Sequence, residues 1–514
     1  MKSKSLATAS LAALFLIASP MVPETLAGKE TDTLIWATDR ELNVPLVWWD
    51  STTEMAAMMY HVFDNLIYRD PIEGQYKPLL AKSWTWIDSR TLEFELREDV
   101  IFHDGSRFGP EDVVATYTNL LKPDAKVLNK TLIDWMERVE AIGENKIRIT
   151  MHRPFPAALE FLSGSRMAIL PSEVWEELPR SPTGEVQYSA VKPIGTGPYK
   201  MTEWVAGEKA VLTRNESYFD GPKGQPAIGT LEFRTVPDQE TRIAELMVGG
   251  IDWIMSVPKD KADDLRTQPN ITVTDGPDMR IAYLQFDVTG RSGNSPLTNL
   301  NVRKAIAHAI DREAISRNLV GGASKVVHSA CYPEQFGCSE DVPRYEYDPE
   351  KAKELLKEAG FKDRIAIELN AYREREYAEA IIGYLNAVGI DAKLNFLQWA
   401  AIRSKIQSGK AELSMMTWAS SGLNDVSAIT SVWFKHSSDD YCLDDEIKNW
   451  LDEGDATIDP EQRAATYKKA LIKIQEKLCW LPLFSYSMTY AYTSDLNFVP
   501  TSDGFPLFFL ASWK

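Results

Sequence analysis

The chain has few of the residues that build metal centres. Its 514 residues include four cysteines and six histidines, and no two cysteines form a C-x-x-C pair. The histidines are scattered along the chain, at His61, His103, His152, His308, His328 and His436. Protein zinc sites need several thiolate or imidazole ligands at defined spacings. The sequence therefore predicts no metal site, and nothing in it calls for a cofactor.

Recognisable catalytic motifs are missing as well. There is no GxSxG elbow, no GxxxxGK[ST] phosphate loop, no HExxH and no GxGxxG after a predicted strand. His103 and Asp104 in "HDG" fit a turn that precedes a helix opening at Pro110. Carboxylate pairs such as Asp444 and Asp445 could serve a glycosidase, but acidic pairs are also common on solvated faces. We predict that the chain is not an enzyme, with a secreted hydrolase or a chaperone-like scaffold as the alternative.

Positive charge is in deficit. The chain has 56 Lys and Arg against 74 Asp and Glu, a formal net charge of −18. Such a surface repels phosphate backbones, and no basic cluster offsets it. We therefore expect no nucleic-acid partner.

Long apolar runs are confined to the N-terminus. Lys2 and Lys4 precede "LAALFLIA" (11–18), and "TLA" (25–27) offers small residues for a signal peptidase. The run is shorter than the roughly 20 residues that span a bilayer. We predict a cleaved signal peptide at 1–27, no membrane insertion and a periplasmic protein. The first cysteine is Cys331, so no cysteine near the cleavage site could carry a lipid.

In an oxidising compartment, an even number of cysteines favours disulfides. Proximity along the chain suggests Cys331 with Cys338 and Cys442 with Cys479. The sequence does not prove this connectivity.

Capping and periodicity indicate a mixed architecture. Asp348 before Pro349, and Asp459 before Pro460, have the pattern of helix starts. "EYAEAIIGYLNAVG" followed by "IDAKLNFLQW" indicates a helix and then a strand, as in α/β domains. "TLEFELRE" and "KIRITMHR" alternate with period two, as half-buried antiparallel strands do. The length fits two to four domains.

The stretch "WASSGLNDVSAI" (418–429) follows an apolar run, "AELSMM", that is typical of a buried strand. Small residues after an aromatic one fit a tight turn. They equally fit a ligand wall, where a ligand approaches the backbone and Trp418 offers a flat face. The residues alone leave both interpretations open.

Several motifs occur together in an order that resembles one known family. They are "FHDGSRFGPEDVVATY", "IGTGPYKMTEW", "NESYFDGPKGQPAIGTLEFRTVPDQETRIAELMVGGIDW", "NVRKAIAHAIDREAI", "DPEKAKELLKEAGF" and "LCWLPLFSYS". This series is similar to family 5 of the extracytoplasmic solute-binding proteins of ABC transporters, which bind peptides, opines and nickel. The resemblance runs from about Leu34 to the C-terminus.

The resemblance implies an α/β fold of the two-lobed periplasmic binding protein type (type II, cluster C-like). Lobe I would comprise 30–278 plus 487–514, including an extra β-rich subdomain at about 76–195. Lobe II would comprise 279–486. The chain would cross between lobes near 276–286 and 484–492, and two crossing segments make a hinge.

The resemblance also implies a ligand site contributed by both lobes. Its candidate residues are Trp48, Trp49, Ser51, Thr52, Arg373, Trp399, Trp418, Ser421, Gly422, Asn424 and Asp425. Ser421 stands where peptide-binding relatives carry an Asp that pairs with the ligand's ammonium. A buried ammonium without a countercharge is costly, so plain peptides become doubtful unless Asp39, Asp50 or Asp425 substitutes. Arg373 would clamp an anionic group, although pairing with a neighbouring Glu is the simpler alternative.

The implied function is that of a receptor for an ABC importer. It would capture a small peptide-like, opine-like or related solute between its lobes and deliver it to membrane permease subunits. The alternatives within the family are an oligosaccharide, a betaine-type cation and a chelated metal. The receptor is expected to act as a monomer.

Overall fold

A computed structural model describes residues 27–50, 52–128, 130–293, 295–420 and 422–514. The predicted signal peptide, apart from its last residue, lies outside the described residues, and so do the candidate site residues Ser51 and Ser421. Within the described ranges, no helix is both long and apolar enough to cross a bilayer.

The strands are numbered in chain order: β1 Thr33–Thr38, β2 Ile67–Arg69, β3 Tyr76–Pro78, β4 Ala81–Asp88, β5 Thr91–Leu96, β6 Met136–Gly143, β7 Lys146–Met151, β8 Tyr199–Val205, β9 Lys209–Arg214, β10 Thr230–Thr235, β11 Trp253–Met255, β12 Ile271–Phe286, β13 Ile365–Ala371, β14 Ile390–Phe396, β15 Leu413–Ala419, β16 Trp480–Thr493, β17 Leu496–Asn497 and β18 Ser512–Trp513. The α-helices are α1 Thr53–Val62, α2 Pro110–Leu121, α3 Ala158–Ser163, α4 Ser172–Glu176, α5 Gln239–Val248, α6 Lys259–Leu265, α7 Leu300–Ala309, α8 Arg312–Ile315, α9 Pro349–Glu358, α10 Arg375–Ala387, α11 Trp399–Gln407, α12 Ser427–Trp433, α13 Asp445–Ala456 and α14 Pro460–Glu476.

One large sheet runs through the molecule in the order β14-β13-β15-β12-β16-β11-β1-β10-β9-β8. At one end, β13 is parallel to both β14 and β15. On the other side of the adjacent strands β12 and β16, β1 is parallel to β10 and β11. Each set of parallel strands carries its own helices, as α/β architecture requires. The sheet therefore has two α/β halves.

The two halves share the long strands β12 and β16. These pair antiparallel from Ile271 opposite Thr493 to Gln285 opposite Trp480, with irregular register near Asp278. The segments suggested as crossovers lie within these strands. We keep the lobe boundaries, 30–278 plus 487–514 and 279–486, as a proposal and use the names lobe I and lobe II for the two halves.

The β-rich insertion in lobe I contains a separate sheet in the order β4-β5-β7-β6. The strands β5 and β7 pair antiparallel, with Phe94 opposite Ile147. Both side chains are buried, whereas Glu93 and Arg148 on the other face form an ion pair. The period-two pattern of the sequence is thus confirmed as one apolar and one polar face.

The helix starts that the sequence predicted are also confirmed. The Asp348 carboxylate accepts a hydrogen bond from the Lys351 backbone N–H at 2.9 Å, and α9 begins at Pro349. The Asp459 carboxylate caps α14 in the same way at Gln462, also at 2.9 Å. The strand β15 extends beyond the predicted apolar run and includes Trp418.

Both proposed disulfides are present. Cys331 is bonded to Cys338, and Cys442 to Cys479. The second bridge ties the segment before α13 to the residue just before β16 and is buried among apolar side chains. Its loop is the longer one, with a sequence separation of 37 against 7.

Removing the long-loop bridge by a double Cys442→Ser, Cys479→Ser change should lower the free energy of unfolding by about 2–4 kcal/mol. The matched double change at Cys331 and Cys338 should cost less, because a shorter loop restricts the unfolded chain less. Denaturant unfolding of the oxidised proteins measures both losses. Equal stability of the Cys442/Cys479 variant and the parent would contradict the expectation.

Candidate functional site

The carboxyl ends of the parallel strands in lobe II share one edge of the sheet. The strands β13, β14 and β15 end at Ala371, Phe396 and Ala419. In open α/β sheets, ligands bind at this edge, outside the carboxyl ends of the strands. This edge faces the middle of the paired strands β12 and β16, since Ala419 at the end of β15 is in register with Arg280 of β12. The edge therefore lies beside the crossing point between the lobes.

Three predicted site residues are brought to this edge. Arg373 follows β13, Trp399 begins α11 just after β14, and Trp418 stands near the end of β15. Trp399 is 51% exposed, and its ring centroid lies 4.9 Å from that of Tyr372. Trp418 is half-buried and packs edge-on against Trp433 at 5.8 Å. The three residues are far apart in the sequence, and only the family resemblance had grouped them.

Arg373 is not a free guanidinium. It forms an ion pair with Glu374, whose other carboxylate oxygen accepts a hydrogen bond from the Tyr486 hydroxyl at 3.2 Å. The Arg373 guanidinium also lies 5.6 Å from the centroid of the Tyr486 ring. The simpler alternative, pairing with the adjacent glutamate, is therefore what the structure contains. A role of Arg373 in binding an anionic solute stays a prediction. The Arg373 guanidinium would then have to be shared between Glu374 and the solute.

A second pair of opposite charges lies on β12. Arg280 Nε is 3.6 Å from the Asp278 carboxylate, and Arg280 Nη1 donates to Thr417 Oγ1 at 3.3 Å. The Thr417 hydroxyl is also 2.8 Å from the Tyr372 hydroxyl. Burial raises the pKa of Asp278, while Arg280 and Arg373 oppose that rise. The sheet edge thus presents two cations and two carboxylates within one polar cluster.

Next to this edge is a cavity of 710 Å³. Lobe II contributes the end of β15, the following loop and the helices α12 to α14, through Trp418, Ala419, Ser420, Leu423, Ser427, Ala428, Ser431, Val432, Asp455 and Arg463. The insertion of lobe I contributes the other wall, through Leu132, Asp134, Trp135, His152, Arg153, Phe155, Ala157 and Phe161. The volume is in the range of small-molecule sites.

The insertion's wall is the part of the site that sequence reasoning missed. Trp135 and Phe155 stand in loops flanking β6 and β7, outside every motif that carried the family resemblance. A possible signal was the cluster of aromatics at 135, 155 and 161, but such a cluster also fits a buried core. Their position opposite Trp418 depends on how the lobes pack.

The candidate residues near Asp50 lie elsewhere in lobe I. Trp48 is buried, and its indole N–H donates to the Arg166 carbonyl at 2.7 Å. Trp49 stacks on Tyr188 with centroids 3.6 Å apart. The Thr52 hydroxyl caps α1 and donates to Asp50. These side chains do not line the cavity, and their proposed ligand role stays a prediction.

The loop after β15 has structural partners of its own. Asp425 accepts two hydrogen bonds from the Arg463 guanidinium, at 2.5 and 2.9 Å, and both side chains are buried. Gly422 has φ 80°, and a Cβ there would lie 3.1 Å from the Phe505 ring. Asp425 therefore already has a countercharge, so it is poorly placed to serve as an ammonium acceptor. Asp50 is engaged by the Thr52 hydroxyl and N–H.

Asn424 joins the two lobes. Its backbone N–H donates to a carboxylate oxygen of Glu160 in α3 at 2.7 Å. The second carboxylate oxygen accepts from the Tyr76 hydroxyl at 2.7 Å and lies 3.5 Å from Arg69 Nε. When the Asn424 side-chain amide is oriented so that its oxygen faces Arg69, this oxygen also accepts a hydrogen bond from Arg69 Nη2 at 2.5 Å. We call Arg69, Tyr76, Glu160 and Asn424 the interlobe contact.

Glu160 is the centre of the interlobe contact. Only 3% of it is exposed. Burial raises the pKa of its carboxyl, while Arg69, the Asn424 N–H and the Tyr76 hydroxyl oppose the rise. A buried carboxylate is costly unless it is paired and hydrogen-bonded. Separating the lobes would remove the Asn424 N–H from this group.

No catalytic arrangement emerges around the histidine considered in the sequence. His103 Nε2 lies 3.0 Å from the Gly197 carbonyl, and the Asp104 carboxylate accepts from the Ser106 N–H and hydroxyl. The turn interpretation of "HDG" is confirmed. Among the described residues, no group of three or more His, Cys, Asp or Glu side chains could hold a metal ion.

A family model described as bacterial extracellular solute-binding proteins, family 5 Middle, matches residues 75–440. Heme-binding protein A of Haemophilus influenzae is 24% identical over 469 residues, covering 84% of this chain and 83% of that protein. The dipeptide-binding protein of Escherichia coli K12 is 27% identical over 435 residues, covering 78% and 79%.

Among solved structures, the ABC transporter substrate binding protein CtaP from Listeria monocytogenes superposes with a TM-score of 0.82 at 21% identity. The match covers 95% of this chain and 100% of that one. At this identity the likeness concerns the fold. It confirms the two-lobed α/β architecture expected from the sequence.

Replacing Glu160 by glutamine tests the interlobe contact. Glutamine loses the charge facing Arg69, and its NH₂ group cannot accept from Tyr76 or Asn424. We expect amide exchange at Asn424 to accelerate roughly 5- to 30-fold, because losing such charge-assisted bonds costs about 1–2 kcal/mol. Hydrogen exchange of the ligand-free protein measures this opening.

The matched control is Glu173→Gln, which changes an exposed carboxylate on α4 of lobe I. It should leave exchange at Asn424 unchanged. Equal exchange rates at Asn424 in the Glu160→Gln variant and the parent would show that Glu160 does not hold the lobes together.

Proposed function

Because the chain belongs to family 5 of the bacterial extracellular solute-binding proteins, the receptors of ABC importers, we propose that it captures a peptide-like, opine-like or related conjugate at the edge of lobe II. The observation that carries this proposal is the convergence of Arg373, Trp399 and Trp418 beside the crossing strands. A binding site between two lobes couples occupancy to closure, because a solute that contacts both lobes stabilises the closed state.

The charges at the sheet edge support a solute that bears both signs. Arg280 and Arg373 can share their hydrogen bonds with a carboxylate. Asp278 and Glu374 can accept from an ammonium or a substituted amine. Since each protein charge already has an opposite partner, the cluster is neutral as a whole and suits a zwitterion better than a simple ion.

The relatives bind varied solutes, as the names of the heme-binding and dipeptide-binding proteins state. Family membership thus supports a binding protein, not an enzyme, and leaves the solute open. We keep the expectation that plain dipeptides bind weakly. It rests on Ser421 in place of an acid and is supported by the engagement of Asp425 with Arg463.

The location and assembly are part of the same proposal. The chain is exported by the signal peptide at 1–27, which is cleaved, and works in the periplasm as a monomer. Its closed form docks on the permease subunits of an ABC importer. Members of the family are periplasmic or extracellular, which agrees with this placement.

A thermal-shift panel at equal concentrations tests the solute class. It compares unmodified dipeptides, opines formed from the same amino acids, and betaines. We expect the opines to give the largest shifts, since stabilisation follows RT ln(1 + [L]/Kd) and a ligand at 100 times its Kd adds about 2.7 kcal/mol. Larger shifts with the unmodified dipeptides would reverse the preference.

Trp418→Ala should weaken binding of the best opine by about 1–4 kcal/mol, because buried aromatics dominate binding energies. Trp86→Ala, on β4 of the insertion and outside the cavity, is the matched control and should bind as the parent does. Titration calorimetry gives both affinities, and circular dichroism verifies the fold. Parent-like affinity in a folded Trp418→Ala protein would remove this residue from the site.

A further inference from the structure

The insertion presents an aromatic wall to the cavity. Trp135 and Phe155 are stacked, with ring centroids 5.1 Å apart and planes 22° apart. Phe161 meets Phe155 edge-on at 4.9 Å. The Trp135 indole N–H donates to the Leu132 carbonyl at 2.8 Å, so its polar atom is already satisfied. This wall therefore offers ring surface and no indole hydrogen-bond donor.

Half of the residues in the opposite wall, in lobe II, have small side chains, and Trp418, Leu423, Val432 and the paired Asp455 and Arg463 supply the rest. Ala419 and Ala428 are among the small residues, and the three serines already donate their hydroxyls within the protein. Ser420 donates to the Met279 sulfur, Ser427 to Asp425 at 2.6 Å and Ser431 to Asp455 at 2.5 Å. Small residues facing an aromatic wall leave a slot whose lining discriminates by shape more than by hydrogen bonds.

Most of the charges in the cavity have protein partners. Arg463 is paired with Asp425. Asp455 accepts from the Tyr467 hydroxyl at 2.6 Å and pairs with Lys435 at 2.9 Å. Asp134 lies 3.8 Å from Lys130.

Arg153 differs from these groups. It lines the cavity and is exposed, and across the described part of the chain no hydrogen bond or ion pair links its side chain to another residue. The neighbouring His152 is also exposed and adds a second potential donor. Among the described residues that line the cavity, Arg153 is thus the charged side chain without a protein partner, and its charge is positive.

We infer that this cavity is a second subsite, adjoining the sheet-edge site at Trp418, for the flat, apolar part of a solute that carries a negative charge, with Arg153 as the residue that selects the charge. An aromatic or conjugated ring would lie between the Trp135–Phe155 wall and the small residues of lobe II, with its anionic group towards Arg153. The inference rests on the proposed function, since it adds a second part to the same captured solute.

The lining argues against a sugar in this subsite. Sugars need many hydrogen-bonding partners in addition to an aromatic face, and removing hydroxyls from water without partners is costly. Here the protons of the three serine hydroxyls and of the Trp135 N–H are already donated within the protein, which leaves a sugar few donors. A cationic ring is disfavoured as well, because it would meet Arg153.

Two dyes that share an aromatic framework test the subsite. 1-Anilinonaphthalene-8-sulfonate carries a fixed negative charge, and N-phenyl-1-naphthylamine has no charge. Fluorescence titration of the whole mature protein should show saturable binding of both dyes at one site, with the sulfonate bound more tightly. Arg153→Gln should weaken the sulfonate roughly 3- to 10-fold, as expected for a partly shielded ion pair, and leave the neutral dye unchanged.

Two matched controls separate the cavity from the rest of the surface. Arg138→Gln removes an exposed guanidinium on β6 of the insertion, outside the cavity, and should not alter either dye. Ala428→Phe fills the slot from α12 and should abolish binding of both dyes. Ala401→Phe adds the same ring to an exposed position on α11 and should not.

Unchanged sulfonate binding in Arg153→Gln, or dye binding that survives Ala428→Phe in a folded protein, would overturn the subsite.

Failure of the proposed function would give a different set of results. If no opine, peptide or betaine shifts the melting temperature while the dyes bind as described, the subsite stands and the solute class at the sheet edge is wrong. If opines shift the melting temperature but the dyes fail, only the subsite falls.

Discussion

The hydrogen-bonded ladder between β12 and β16 is the constraint on which the rest of the structure depends. It is continuous from one half of the sheet to the other, so the same two strands belong to both lobes. Its register shifts after Asp278 and again after Ala282, and such irregularities bend a strand and increase its local twist. The parallel strands of lobe II end beside this region, and that is why Arg373, Trp399 and Trp418, from distant parts of the chain, lie on one edge.

The loop that follows β15 links closure to the cavity. Arg463 holds Asp425 in a buried ion pair, which fixes the loop within lobe II, and Asn424 then offers its N–H to Glu160 across the gap. Leu423 and Phe161, neighbours of those two residues, line the cavity. A solute in the cavity would contact the same two segments that the interlobe contact joins. The solute and the interlobe contact therefore stabilise the same arrangement of the lobes.

Local features were predictable because short-range physics determines them. Asp348 and Asp459 cap helices wherever the helices lie, and the alternation around Phe94 and Ile147 requires a two-faced sheet. The spacing of the cysteines suggested pairs that the fold contains. The candidate site was predictable only in part: Trp418 lines the cavity, whereas the ring of Trp48 is buried with its N–H satisfied.

The sequence by itself determined the α/β class, the helix starts and the family, since each depends on neighbouring residues or on several motifs in order, and it suggested the disulfide partners. Only the tertiary structure decided which groups remain available to a solute. Arg463 holds Asp425 in a buried ion pair, while Arg153 faces the cavity without a partner among the described residues. The physical reason is that these relations depend on residues far apart in the sequence: packing within lobe II brings Asp425 to Arg463, and the approach of the insertion to lobe II places Arg153 at the cavity.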